Sequence, residues 1–448
     1  MNTEDFINEV FLKAKDQGFK DWEIYLVKAT SFESHIADNE VREYKNSTLQ
    51  GISFRGTFKN KMGYAYTEKI EQGVPEILIK NAIENAEIKE EEGEEELFHG
   101  SSSYPTVEGI HPSLNNISVS EKINLAKTME KAALSKDKRI VAVDHCVIAK
   151  FEGEILLVNS YGLNLSHKDG NAMAYIVVRA VEGDSTKVGI KIWGSKSFTD
   201  FDPYSIANEA VNLAINKLGA KTIPSGTYNI ILENKMVANL FSIFINNFYA
   251  ENVQKGLSLF KDKIGNPIAS QVLTIRDNVS HDRSLRATPF DSEGVATKDK
   301  LVVLSGVLQT FLYNTKSAKK DGEQSTGNGF KSSFKSTVAT DINNLFIEPG
   351  ITQFKEIIKG FTGVLITDLQ GLHAGANSVS GDFSIQAEGF LYENGKIIQP
   401  VEQITIAGNF YNMLNSIEAV YDDLYFSPFG QIGAPSLQIN GIKISGGV

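Results

Sequence analysis

The sequence is short of the residues that usually announce a chemistry. Cysteine occurs once in 448 residues, at Cys146. A single thiol excludes an intramolecular disulfide and any multi-cysteine zinc site, and it points to a reducing compartment, the cytoplasm. No stretch approaches the roughly 18 consecutive apolar residues that a bilayer-spanning helix needs. The N-terminus, Met1–Glu9, is acidic and lacks an apolar core, so no signal peptide is expected. Without one, Asn46-Ser-Thr48 and Asn164-Leu-Ser166 are chance sequons. Basic residues are in deficit: 44 Lys and Arg against 55 Asp and Glu give a net charge of −11. That balance speaks against nucleic acid as a partner, because phosphate binding needs a basic face. It speaks equally against an anionic membrane surface. No Gly-x-Ser-x-Gly elbow is found. Gly327-Asn-Gly329 is too short for a phosphate loop and no Walker lysine follows it. A Ser-His-Asp set at other spacings stays open.

What is present is ordinary for a soluble globular chain: 42% hydrophobic and 22% charged residues, enough for two or three domains. Phe6, Val10, Phe11 and Ala14 recur at helical spacing over residues 3–18, with Gly18 as the stop. Residues 22–28, 47–58 and 61–67 alternate as strands, and Lys59-Asn60 suggests a hairpin. Ile77–Ala86 is helical by period. The run Lys89–Glu96 carries like charges and is followed by Gly100, Ser101–Ser103 and Pro105, so it reads as a solvated connector or an acidic docking site. A helix follows over 120–134, capped by Ser120 or by a Ser118/Glu121 capping box. Strands are expected at 139–149 and 154–159, joined at Glu152-Gly153, and again at 172–181, with a helix at 203–218. Thr222–Thr227 is a turn-rich break. It sets the boundary between expected domains at 1–222 and 223–448, with a possible sub-boundary at 89–116. Beyond it the chain is β-rich and glycine-rich, except for a helical run over 234–251.

That run, Asn234–Glu251, is the most informative stretch. It contains no histidine and no cysteine, and no Asp or Glu lies between Lys235 and Ala250. Val237, Phe241, Phe244 and Phe248 fall on one helical face, as in a packed structural helix. Elsewhere the candidates are scattered. His145 and Cys146 are neighbours on a strand, point to opposite faces and cannot share a metal without distortion. His281-Asp-Arg283 is a metal candidate or a turn with a capping aspartate. His373 sits in the glycine-rich loop Gln370–Asn377.

Several segments in order carry a family resemblance: Pro224–Leu232, Gly265-Asn-Pro-Ile-Ala-Ser270, Thr288-Pro-Phe-Asp-Ser-Glu-Gly294, Gly306–Tyr313 and Ser325-Thr-Gly-Asn328. The series continues through Gly381-Asp-Phe-Ser384, Glu388-Gly-Phe390, Glu393-Asn-Gly395 and Ile404-Thr-Ile-Ala-Gly-Asn409. Each is unspecific alone. Their order over the C-terminal half resembles the TldD/PmbA family, the modulators of DNA gyrase, and most closely its PmbA (TldE) branch.

In the TldD branch, the resemblance implies a His-Glu-x-x-x-His helix with a later cysteine. Two imidazoles and a thiolate hold zinc, and the glutamate serves as general base. Counting back from Gly256 and Phe260 places the first histidine at Phe241, the glutamate at Ser242 and the second histidine at Asn246, within one residue of register. The segment Phe426–Pro435 has no cysteine either. The resemblance therefore implies no catalytic residue, no metal and no cofactor on this chain. It implies a non-catalytic subunit of a TldD/TldE-type zinc metallopeptidase acting on unfolded peptides or small proteins. The partner would be a TldD-like subunit or a second copy, in a dimer. The loop at His373 and the stretch with Asp382 and Phe383 resemble the family's central groove and would contact peptide, a binding mode suited to strand addition. Two alternatives remain. One is an independent peptidase or other hydrolase, which would bring His373, Asp382 and Arg276 together around an ion. The other is a homodimeric peptide-binding protein without catalysis. The expected fold is α+β in two lobes: sheets flanked by helices, then a large, mainly antiparallel β domain carrying the 234–251 helix.

Overall fold

The computed structural model describes residues 1–89, 95–428 and 430–447. Glu90–Glu94 of the acidic run lie outside them. The fold is α+β, in two lobes.

The N-terminal lobe repeats one plan. Helix α1 (Thr3–Asp16) leads into a meander of β1 (Asp21–Ala37), β2 (Glu40–Phe58) and β3 (Lys61–Thr67), closed by α2 (Val74–Glu87). Then α3 (Val119–Lys136) leads into β4 (Ile140–Asn159), β5 (Asn164–Glu182) and β6 (Ser185–Ser195), closed by α4 (Pro203–Ile215). The two meanders join edge to edge at β1 and β4, giving one antiparallel sheet in the order β3-β2-β1-β4-β5-β6. Both hairpins of the first meander turn through residues with positive φ, Asp38-Asn39 at 54° and 61° and Lys59-Asn60 at 48° and 63°. This is the turn whose twist matches the strands it joins. Each closing helix lies so near the outer strand of its meander that only glycine fits beneath it. A Cβ on Gly63 would come within 2.2 Å of the Ala82 carbonyl oxygen, and one on Gly189 within 2.0 Å of that of Ala210. The helices bury Phe6, Val10, Leu78 and Ile79 against one half of the sheet, and Met129, Ala207 and Ala210 against the other.

Two local expectations are corrected here. Strand β4 does not break at Glu152-Gly153. These residues stay in register with Thr30 and Ala29 of β1 on one side and with Gly170 and Asp169 of β5 on the other, and ladders on both edges hold the backbone extended. Helix α3 starts at the Ser118/Glu121 capping box rather than at Ser120: Ser118 Oγ accepts from Glu121 N–H, and Glu121 Oε2 accepts from Ser118 N–H.

The C-terminal lobe comprises β7 (Gly226–Leu232), α5 (Asn234–Phe244), α6 (Ala250–Gln254), β8 (Ile275–Asn278), β9 (Lys300–Leu304), β10 (Val307–Leu308), α7 (Thr315–Asp321), β11 (Gly329–Phe330), β12 (Ala339–Thr340) and β13 (Asn344–Ile347). It continues with α8 (Phe354–Ile357), β14 (Gly363–Gln370), β15 (Asp382–Glu393), β16 (Lys396–Asn409), α9 (Phe410–Asn415), β17 (Ile417–Val420), β18 (Tyr425–Phe426), β19 (Ile432–Ala434) and β20 (Leu437–Ser445). Strands β16-β15-β14-β7-β20 close into a barrel through the β16–β20 pairing, and β17 flanks β20. A second sheet runs β10-β9-β8-β13-β19-β18. Pairing is antiparallel except for β7 with β14 and β13 with β19.

One large core joins barrel, second sheet and α5. The expected continuous helix over 234–251 is not continuous. Helix α5 ends at Phe244, a 3₁₀ turn covers Ile245–Phe248, and Tyr249 is extended (φ −87°, ψ 123°) before α6. The cause is tertiary. Leu312 brackets Tyr249, donating its N–H to the Phe248 carbonyl at 2.9 Å and accepting from Ala250 N–H at 3.0 Å. These bonds replace the helical ones there.

Candidate functional site

Helix α5 and the 3₁₀ turn behind it carry the positions that the resemblance assigns to a metal site, Phe241 and Ser242 on the helix and Asn246 in the turn. The inward face of α5 is apolar: Val237, Phe241 and Phe244 are buried, as is Phe248 in the turn behind. Phe241 meets Phe410 edge-on at 5.4 Å between ring centroids, and Phe410 stacks on Phe244 at 4.3 Å. Ser242 and Asn246 face solvent. Ser242 Oγ donates to the Asn239 carbonyl at 2.6 Å, and the Asn246 carbonyl accepts from the Asn252 side chain at 3.0 Å. One position thus points into the core and two point away from it, and none offers an imidazole, thiolate or carboxylate. These residues do not fit a zinc ion. Among the described residues, no three His, Cys, Asp or Glu side chains form a metal-holding group.

The other candidates stay apart. His373 and Asp382 are exposed, and Asp382 Oδ1 accepts from the Asn409 side chain at 2.9 Å. That bond holds the Asp382 carboxyl below its ordinary range. Phe383 turns inward, 4% exposed, so it is a core residue and not a groove wall. Arg276 is ion-paired with Glu348 on the second sheet. His281 is wedged against Phe346 and Phe426, each 4.9 Å away, with Nδ1 accepting from Arg283 N–H. His145 is exposed while Cys146 on the next residue is buried.

Cys146 donates to the Ala126 carbonyl at 3.2 Å, and burial pushes its thiol up to about 12. Reactivity requires the thiolate. We therefore expect the native protein to resist an aromatic disulfide reagent at pH 8, with one equivalent reacting only after denaturation. Rapid stoichiometric labelling of the folded protein would contradict this placement.

The polar chemistry lies instead where the lobes meet. The loop Thr288–Gly294, quoted above only as a family marker, is the joint. Asp291 folds it by accepting N–H bonds from Glu293 (2.9 Å), Val295 (3.0 Å) and Gly329 (2.8 Å). Burial and the neighbouring Glu293 push its carboxyl up against those three donors. Glu293 accepts from Thr315 N–H at 2.8 Å and lies 3.8 Å from Arg55 of β2. Arg55 in turn donates to Glu23 of β1 at 2.7 Å. Gly294 has φ +84°, and a Cβ there would strike Leu163 at 2.6 Å. Deeper in the lobe, Lys300 bonds Asp277 and Asn328 at 2.9 Å each, and Asn328 also donates to Asp277.

Beside this joint, an open cleft of about 390 Å³ separates the sheet from the C-terminal lobe. Tyr25, His167 and Asp169 line it from the sheet, and Arg286, Asp291 and Lys331 from the other side. No reading of the sequence singled out these cleft residues. The available signal was the marker loop itself, which brings Arg286 and Asp291 close in sequence.

Comparison with known proteins places this architecture. Models described as PmbA/TldA metallopeptidase domain 1, central domain and C-terminal domain match residues 22–86, 112–218 and 225–446. The chain is 29% identical over 430 residues to a metalloprotease PmbA homolog of Haemophilus influenzae, covering 94% of this chain and 90% of that protein. It superposes on a Thermotoga maritima crystal structure described as a modulator of a DNA gyrase with a TM-score of 0.92 and 32% identity, covering 99% and 100% of the two chains. It shares the fold of TldE from Thermococcus kodakarensis, with a TM-score of 0.91 and 23% identity over 98% of this chain and 100% of that one. Three consecutive family domains and a near-complete superposition lead to one assignment: the chain belongs to the PmbA/TldD metallopeptidase family.

Proposed function

We propose that this chain is the non-catalytic subunit of a TldD/TldE-type zinc metallopeptidase complex acting on unfolded peptides or small proteins. The observation that carries the reading is Phe241, which stands where the active branch is expected to place its first zinc ligand. It is 1% exposed and packed on Phe410. A ligand must reach a metal in an accessible cavity, whereas this side chain fills a core. Ser242 and Asn246 supply neither the base nor the second imidazole. In such a complex the TldD-like partner brings zinc and general base. This chain brings a scaffold and peptide-contacting surface, with His373 and Asp382 on the exposed end of the barrel.

The test is metal analysis with a peptidase assay on an unfolded peptide, first with the isolated chain and then with a TldD-type partner. We expect substoichiometric zinc and no turnover alone, and turnover with the partner. Stoichiometric zinc with activity in the isolated chain would overturn the proposal. Peptide binding by a homodimer with no gain on adding the partner would replace it by a non-catalytic binding protein.

A further inference from the structure

Arg55 is matched by Glu23 and Glu293, and Lys300 by Asp277. The cleft beside the Thr288–Gly294 loop holds two cations without such an ion pair. Among the described residues, Arg286 makes no ion pair and no side-chain hydrogen bond, and its guanidinium rests 4.7 Å from the centre of the Phe330 ring. Lys331 has no ion pair either. Its ammonium donates one bond, to Ser53 Oγ at 2.7 Å, and sits 4.9 and 5.8 Å from the ring centres of Tyr25 and Tyr64. Nε2 of His167 is buried without a partner. The two acids of the cleft are turned to backbone. Asp291 takes the three N–H bonds given above, and Asp169 accepts from Gly170 N–H at 2.8 Å.

Two cations with unused donor capacity thus line one cavity, beside a histidine whose Nε2 has no partner. An ammonium can donate three bonds and a guanidinium five, and both cations are half-buried at the open cleft, where a ligand can reach them. Burial pushes Lys331 down to about 7 and lowers Arg286, in the latter case against the raising influence of Asp341, Asp277 and Asp169. Perturbed charged groups set together in a cleft mark a candidate ligand site. The remaining walls, Ile155, Leu285, Phe290 and Phe330, are apolar, so the occupant is part anion and part hydrocarbon.

We propose that this cleft is a carboxylate-binding pocket for the C-terminal end of a peptide, with Arg286 and Lys331 as its cations. The planar guanidinium fork matches the two oxygens of a carboxylate, and the Phe330 ring beside it adds a cation–π contact. Asp169 and Asp291 on the same walls favour a singly charged carboxylate over a phosphate dianion. The apolar wall takes the side chain next to the carboxylate. All these groups belong to this chain, so the pocket stands without any zinc subunit; only the choice of a peptide as its bearer rests on the function proposed above.

The experiment is calorimetric titration of the isolated full chain with an N-acetylated tetrapeptide ending in phenylalanine, as its free acid and as its C-terminal amide, and with inorganic phosphate. We expect the acid to bind at least about tenfold more tightly than the amide, as one lost hydrogen bond to a charged group implies. Arg286→Met and Lys331→Met should each weaken the acid by at least about tenfold and leave the amide unchanged. Thermal protection of the wild-type chain by the acid but not the amide is the parallel readout that needs no variant. Equal binding of acid and amide, absence of binding by both, or an unaltered affinity in Arg286→Met would each overturn the proposal. Phosphate binding as tightly as the acid would overturn the peptide assignment in favour of a free oxyanion. Loss of the zinc-subunit reading alone would leave these titrations unchanged.

Discussion

Replacing Arg55 by methionine is expected to destabilise the protein by about 3–5 kcal/mol, the cost typical of removing one partner from a buried ion pair. Arg55 and Glu23 are 3% and 1% exposed, and Glu293 is 3% exposed. Taking away the guanidinium strands two carboxylates that, among the described residues, have no other ion-pair partner, while Lys331 is bonded to Ser53. The pair also joins the lobes, since Glu23 and Arg55 belong to the sheet and Glu293 to the loop that docks against it. Urea unfolding followed by tryptophan fluorescence reads this directly, because the only two tryptophans, Trp22 and Trp193, both lie in the sheet. The deficit should depend on pH with a definite sign. Burial already raises Glu293 above its ordinary value, and loss of Arg55 removes the largest influence holding it down. A carboxyl with a folded-state pKa above its unfolded value of about 4.3 takes up its proton first in the folded form. Stability is therefore regained as pH falls through the folded value, and the variant should lie closer to wild type at pH 5 than at pH 8. Adding Glu23→Gln to Arg55→Met should return part of the loss at neutral pH. A change below about 1 kcal/mol in the single variant would mean that water reaches the pair and screens it, as at surface ion pairs.

That cluster was also the part of the molecule least visible in the sequence. Helix α1, the Lys59-Asn60 hairpin and the Ser118/Glu121 capping box are decided by residues within a few positions of one another, and periodicity, turn chemistry and caps report such decisions. The two misread elements were decided from outside. Glu152-Gly153 looks like a turn until ladders on both edges hold it as mid-strand. Tyr249 interrupts a helical pattern because Leu312, distant in sequence, takes its neighbours' hydrogen bonds. The inward face of α5 was legible, since Val237, Phe241, Phe244 and Phe248 recur at helical spacing and all are buried. Phe383 was not, because a residue quoted for its likeness to a groove carries no sign of which way a barrel strand will turn it. The pairings of Arg55 with Glu293 and of Lys331 with Ser53 join residues from different lobes, and no local rule couples them.

The position of Phe241 carries the second large effect. Phe241→Ala should cost about 3–5 kcal/mol, the range for deleting a buried aromatic ring. The ring touches Phe410, which is itself stacked on Phe244, so a cavity opens where α5, α9 and the barrel share their core. The more telling variant writes the expected motif back into the helix: Phe241→His, Ser242→Glu and Asn246→His together. If sequence alone made a metal site, this chain would then bind zinc. The geometry predicts that it will not. An imidazole at 241 is directed into the core, while one at 246 starts from the solvent face and from a 3₁₀ turn rather than an α-helix, which alters the angular relation between the two positions. No thiolate is available from the chain's single, buried Cys146. Zinc needs three protein ligands converging within about 2.0–2.3 Å of one point, and backbone would have to move before two could do so. The triple variant should show a lowered melting temperature and no stoichiometric zinc after dialysis, measured by elemental analysis. A folded triple variant holding one zinc per chain would show that α5 keeps the geometry of a metal helix. Phe241 would then be a recent occupant of an intact site rather than part of a core rebuilt around its absence.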